Sequence, residues 1–383
     1  MSNAYRRVLL SCLLLYAIPP SSSQPVRPQV GLAPEFKVGG AFRKFTPSDK
    51  SYDWRGAKTH ALLATVWYPA IPSAVTEPVE IPGMSELFVV GSCAPDATIA
   101  SSPAKFPMIV LSHGTGGSAL QMAWLGTVLA AHGYIAVAVN HPGNNATEDY
   151  TAQGFLTWWE RARDLSVAID SMLADPMFGA HIDASRIGAA GFSLGGYAMI
   201  EIAGGITDPA ALKEFCASPR ADAGCKSPPE FPTLVEDFDK MSKTDAEFQA
   251  SLRHASDSYR DPRVRAVFAM APGLGPAFRP ASLQKIAIPV MIVAGEADKN
   301  VPVESGPRYF NANIPGAKLT IFPGNVAHYV FLDTCTEAGR KTLPILCTDG
   351  PSINRDAIHA KTAALAVEFF TSALSPQVGS GNR

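Results

Sequence analysis

Apolar positions in this chain fall into two alternating patterns. One is a short run that is apolar throughout. The other is a longer stretch in which apolar residues recur every three or four positions. Residues 38–69 are strand-like, and the run from Ala61 to Tyr68 is β-prone and closed by Pro69. Residues 70–105 are expected to be a long surface connection. After that the patterns alternate. Residues 108–111 form a short apolar strand, and Ser118 is placed to cap a helix that reaches His132 and stops at Gly133. Residues 134–139 make a further strand. Residues 155–173 carry Trp159, Leu165, Ile169 and Leu173 at helical spacing. A strand over 187–192 and a helix over 194–202 follow.

Strands that are apolar throughout and alternate with helices predict a parallel sheet covered on both faces. The alternation lapses over 204–261, which is polar and irregular apart from a helical fragment near 245–254. It resumes with strands over 264–270, 290–294 and 318–322 and a closing helix over 356–374. Residues 204–261 therefore read as an insertion, a cap or lid over the sheet. A plain surface excursion is the alternative.

Composition narrows the class. Hydrophobic residues make up 47% of the 383, enough for a large core. The formal net charge is −2 with no basic run, so a nucleic-acid partner has no electrostatic support. Arg6 and Arg7 precede an apolar run from Val8 to Ile18, then prolines and Ser21–Ser23. That order predicts a secretory signal peptide over 1–23 and a mature chain over 24–383, periplasmic or secreted, with no membrane span once the signal is removed. Five cysteines remain after Cys12. Cys216 with Cys225 and Cys335 with Cys347 are close pairs in Pro- and Gly-punctuated loops, which suits disulfides in an oxidising compartment. Cys93 is left over, and other pairings stay open. No metal-ligand spacing occurs, and no metal or cofactor is expected.

The chemistry centres on Gly191-Phe192-Ser193-Leu194-Gly195. A five-residue match of this kind arises often by chance; its context carries the weight. It follows an apolar strand and opens a helix of small residues, the setting in which a strained turn lifts a serine hydroxyl out of a sheet. Such a serine needs a base, and the base needs an acid to orient it. Two histidines follow the late strands. His359 lies within the closing helix, whereas His328 sits in a loop just after the last strand, which makes it the base. The acid is expected after the 290–294 strand, where Asp298 is preferred over Glu296 for its shorter side chain. Two oxyanion donors are required. Leu194 N–H supplies one. The turn His113-Gly114-Thr115-Gly116-Gly117 supplies the other, assigned to Thr115 N–H. His141-Pro142-Gly143-Asn144 reads as a turn, Asn145-Ala146-Thr147 as a formal glycosylation sequon, and Trp158 with Trp159 as helix packing.

Taken with Val66-Trp67-Tyr68-Pro69, Gly295-Glu296-Ala297-Asp298 and the tail from Phe331 through Cys335, Cys347 and His359 to Phe370, these motifs resemble the platelet-activating-factor acetylhydrolase-like and predicted dienelactone hydrolase branch of the α/β-hydrolases. The likeness spans most of the mature chain outside 204–261. It implies an α/β-hydrolase fold and cofactor-free carboxylic-ester hydrolysis through a serine acyl-enzyme, with Ser193, Asp298 and His328 as the triad. Dienelactone hydrolases use a cysteine nucleophile where this chain has Ser193, so dienelactone is not carried over as substrate. The expected substrate is a small-molecule ester of short to medium chain. A lipase or phospholipase acting on lipid acyl groups is the alternative, and a non-catalytic binding protein on the same scaffold is a remote third. Oligomeric state is open.

Overall fold

The computed structural model describes residues 35–79 and 86–375. The expected signal peptide lies outside these residues. Eight long strands form the main sheet: β1 (Lys37–Phe45), β2 (Leu62–Ala70), β3 (Phe106–Ser112), β4 (Ile135–Val139), β5 (Ile182–Phe192), β6 (Val264–Met270), β7 (Val290–Gly295) and β8 (Lys318–Phe322). Their order across the sheet is 1-2-4-3-5-6-7-8. β2 runs antiparallel to β1 and β4, and β3 through β8 are mutually parallel.

The uniform apolarity of the central strands follows from this arrangement. Both faces of β3 are covered, so all seven of its residues are buried. Met108 and Val110 join one core while Ile109 and Leu111 join the other, as a side-chain period of two requires. The first core takes Leu165, Ile169 and Met172 from helix Arg161–Ala174 and Ile200 from helix Leu194–Ile202. The second takes Leu125 and Leu129 from helix Ala123–Ala131 and Phe370 from helix Arg355–Ala373. β8 is an edge strand, and only Phe322 in it is buried.

Three local expectations are corrected. Residues 70–105 are more than a connection. Ser92–Pro95 pairs with β1 and Glu77–Pro78 pairs with it in turn, while Phe88–Val89 pairs with Thr334–Cys335. Strands of two to four residues are too short to leave a periodic trace. The helix after Ser118 begins as a 3-10 turn, Ala119–Met122, and Ser118 makes no side-chain cap bond. The helix expected over 155–173 is broken into Ala152–Leu156, a 3-10 turn at Trp158–Glu160 and Arg161–Ala174.

Residues 204–261 add no strand. They carry helices Pro209–Cys216, Leu234–Thr244 and Ala246–His254. Disulfides join Cys216 to Cys225 and Cys335 to Cys347, and Cys93 is a free thiol. Among the described residues no helix is long and apolar enough to cross a membrane.

Candidate active site

Four loops meet at the carboxyl edge of the parallel strands, where open α/β sheets bind ligands. Ser193 follows β5 at φ 56°, ψ −116°, a backbone that a non-glycine residue adopts only under strain. Its N–H donates to Met270 O at 2.8 Å, which holds the strained turn against β6. Glycine is obligatory beside it. A Cβ on Gly195 would stand 2.1 Å from Ser112 O, and one on Gly191 would stand 2.3 Å from Gly195 O. The motif's glycines thus let helix Leu194–Ile202 start in contact with the ends of β3 and β5.

Ser193 Oγ lies 2.9 Å from Nε2 of His328, and His328 Nδ1 lies 2.7 Å from Oδ2 of Asp298. His328 reaches this position from the loop after β8, where it opens a 3-10 turn, His328–Phe331. Its ring packs against Phe192, with centroids 4.8 Å apart. Asp298 belongs to the turn after β7. Its Oδ1 accepts from the N–H groups of Asn300, at 2.9 Å, and Val301, at 2.8 Å. That leaves Oδ2 free for the imidazole. Both Asp298 and His328 are buried. Glu296, the other acid considered, accepts from Gly324 N–H and braces the turn instead. His359 is buried against Trp124 and bonds Val330 O.

Leu194 is the first residue of its helix, so its N–H has no partner within that helix. Thr115 sits on the facing turn after β3, and both line the same cavity as Ser193 and His328. The cavity holds about 1190 Å³ and continues beneath residues 204–261, where Phe215, Leu234, Phe238 and Leu252 line it. Trp158 also lines it, so its reading as helix packing is incomplete; Trp159 is packed inside.

Under the Thr115 turn lies a buried network that no motif announced. Ser112 Oγ is 2.8 Å from His141 Nε2, and His141 Nδ1 is 2.6 Å from Asp164 Oδ2. Arg55 Nη2 donates to both Asp164 oxygens at 2.7 and 2.8 Å, and Tyr52 OH donates to Oδ1. Burial pushes the Asp164 pKa up, but Arg55 and His141 beside it bring it below the usual carboxylate value. Burial pulls His141 down to about 3 and His113 well below 6.5, so both rings are neutral. This serine–histidine–aspartate chain has the spacing of a catalytic one, but Ser112, His141 and Asp164 are wholly buried. It is therefore a support. His141-Pro142-Gly143 is a turn, as read, but its histidine side chain holds the floor of the site. The Asn145 side chain is likewise buried, bonding His141 O and Glu148, which does not suit a glycosylation acceptor.

Comparison with known proteins agrees with this architecture. Residues 109–338 match the alpha/beta hydrolase family. A 97-residue stretch is 35% identical to cutinase est1 of Thermobifida alba, covering 25% of this chain and 29% of that protein. An 80-residue stretch is 34% identical to lipase 1 of Moraxella sp. (strain TA144), covering 21% and 22%. Less than a third of either relative is thus spanned. The solved structure of a ferulic acid esterase from Streptomyces cinnamoneus superposes with a TM-score of 0.59, covering 90% of this chain and 92% of that one at 20% identity. That likeness is one of fold.

Proposed function

The chain belongs to the alpha/beta hydrolase family, and from that premise we propose that it is an exported serine carboxylic-ester hydrolase. His328 Nε2 takes the Ser193 proton as Oγ attacks the ester carbonyl. Asp298 holds the imidazole in the tautomer that makes this transfer feasible and stabilises the imidazolium. The N–H groups of Leu194 and Thr115 receive the oxyanion. The tetrahedral intermediate collapses to an acyl-enzyme as His328 returns the proton to the leaving alcohol. Water, activated by the same imidazole, then releases the acid.

The observation that carries this reading is the unbroken bond chain from Ser193 through His328 to Asp298, opening on a cavity of mostly apolar walls. Names such as cutinase, lipase and ferulic acid esterase among its relatives and neighbours agree with ester hydrolysis. The two disulfides fit an oxidising compartment and so support export. The test is Ser193→Ala. It should abolish hydrolysis of a p-nitrophenyl ester and labelling by a fluorophosphonate probe while leaving the melting transition in place. Retained turnover would refute the assignment.

One observation favours a larger acyl group than a short-chain ester carries. Pockets for small ligands hold roughly 300–1,000 Å³, and this cavity, at about 1190 Å³, exceeds that range. Helices of the 204–261 insertion form one of its walls, and we read the insertion as a lid. This supports the lipase reading and the finer likeness to the platelet-activating-factor acetylhydrolase branch. A series of p-nitrophenyl esters of rising chain length, with and without micelles, separates the alternatives. A rate that peaks at the shortest esters and ignores the interface would exclude the lipase.

A further inference from the structure

Arg161 is fully buried at the start of its helix, yet its hydrogen bonds go to main-chain carbonyls. Nη1 donates to His113 O at 2.5 Å and Nη2 to Gly114 O at 3.3 Å. Burial lowers its pKa to about 9, so it remains cationic at neutral pH. A buried guanidinium is costly, and one directed at two successive carbonyls of a single turn calls for a reason.

The turn itself supplies the reason. Gly114 O accepts two further bonds, from His113 Nδ1 at 2.7 Å and from the Gly117 main-chain N–H at 3.2 Å. The His113 tautomer is fixed, because its Nε2 accepts from the His141 main-chain N–H at 3.2 Å and the proton must then sit on Nδ1. Gly114 O and the N–H of Thr115 are the two ends of one peptide unit. That unit is planar and trans, so its C=O and N–H point in opposite directions. Pinning Gly114 O from beneath fixes the direction of Thr115 N–H above. A cation on the carbonyl also polarises the peptide and strengthens its N–H as a donor. The next two units are held too: Gly116 N–H donates to Asn144 Oδ1 at 2.7 Å, and Tyr150 OH donates to Gly116 O at 2.8 Å.

We propose that Arg161 is a positioning residue for the oxyanion, acting through the Gly114–Thr115 peptide rather than by touching substrate. The inference rests on the assignment of Thr115 N–H as an oxyanion donor made above. It separates Arg161 from ordinary core structure, because its contribution rises as charge develops on the substrate oxygen.

The test compares wild type, Arg161→Met, Arg161→Lys and Ser193→Ala on one p-nitrophenyl ester. A trifluoromethyl ketone of the same acyl length serves as the transition-state analogue. Outright loss of an oxyanion donor costs about 100- to 1,000-fold in kcat, so loosening one should cost about 10- to 100-fold in Arg161→Met. KM should stay within about threefold, and ketone affinity should fall by the same factor as kcat/KM. The pH at which kcat half-rises should not move, because His328 and Asp298 are untouched. Arg161→Lys keeps the charge without the two-pronged fork and should fall between the two; it decides the matter alone if the Met variant shows no cooperative melt. A kcat within threefold of wild type in the folded variants overturns the proposal. So does a loss of kcat that leaves ketone affinity unchanged. Turnover retained in Ser193→Ala would instead strike the nucleophile assignment.

Discussion

Asp298→Asn isolates the orienting role of the acid, because the structure dictates which way the new amide must face. Oδ1 of Asp298 accepts from two main-chain N–H groups, those of Asn300 and Val301. In the variant only the amide oxygen can fill that position, since an NH2 there would face two donors. The NH2 group is then forced toward His328 Nδ1, where Oδ2 now stands 2.7 Å away. A donor at that point requires Nδ1 to be an acceptor, so the ring proton moves to Nε2 and the ring can no longer take the Ser193 proton. The wrong tautomer in an equivalent triad costs about 10⁴-fold in kcat, or roughly 5 kcal/mol of transition-state stabilisation at about 1.36 kcal/mol per tenfold. Steady-state kinetics on a p-nitrophenyl ester would give the number, and thermal melting would show that the turn survives. Since both N–H bonds to Oδ1 are kept, the fold should hold. A kcat within tenfold of wild type in a folded variant would refute the reasoning, because the imidazole would then not depend on Asp298 for its tautomer.

Cys335 and Cys347 close a loop with a sequence separation of 12. Loop-closure entropy values their bond at about 3 kcal/mol, so replacing both by serine should lower the melting temperature by about 4 °C for a chain of this size. Glu201 is buried with Oε1 bonded to Tyr197 and Thr207, and burial raises its pKa well above 4.5. Its native pKa exceeds its unfolded one, so its contribution is fully present below about pH 4.5 and is lost as pH rises toward the native value. Glu201→Gln should therefore melt higher than wild type at pH 8 relative to pH 4.5, and an unchanged difference between the two pH values in a pair of melting curves would contradict this. His141 works in the opposite sense. With a native pKa of about 3 against about 6.5 unfolded, it withdraws stability as pH falls through that window, so His141→Gln should flatten the acid limb of the stability curve.

The legible part of the site shares one property. Ser193, Asp298, His328 and Thr115 each follow directly on a strand whose apolarity marks it, so a sequence pattern of strand ends contains their positions. The structure sets Thr115, Ser193 and His328 on one cavity wall, with Asp298 buried behind His328. The supporting shell lacks that property. Arg55, His141 and the helix that carries both Arg161 and Asp164 are distant in sequence, and only tertiary packing joins them. One signal was available. Arg161 stands on the stripe continued by Leu165, Ala168 and Met172, all of them buried, and a charged residue on an apolar stripe implies a paired interior role. The second Ser–His–Asp chain carries the converse lesson. Ser112, His141 and Asp164 match the spacing of a catalytic set, and what tells the two apart is the serine: Ser112 is wholly buried, whereas Ser193 opens on the cavity. The break before Arg161 was hidden because Leu165, Ile169 and Leu173 keep a four-residue spacing within the helix, and the apolar residues just before it, Trp158 and Trp159, carry no signal of a 3-10 turn. The short pairings of residues 77–95 were hidden by their brevity.

The central claim is that Ser193 carries the acyl group. Rapid acid quench during turnover of a p-nitrophenyl ester, followed by peptide mass spectrometry, tests it most directly. The account predicts one acyl group on the peptide containing Gly191-Phe192-Ser193-Leu194-Gly195, formed with the burst of p-nitrophenol and absent in Ser193→Ala. An acyl group on any other residue, or a burst that persists in Ser193→Ala, would contradict it.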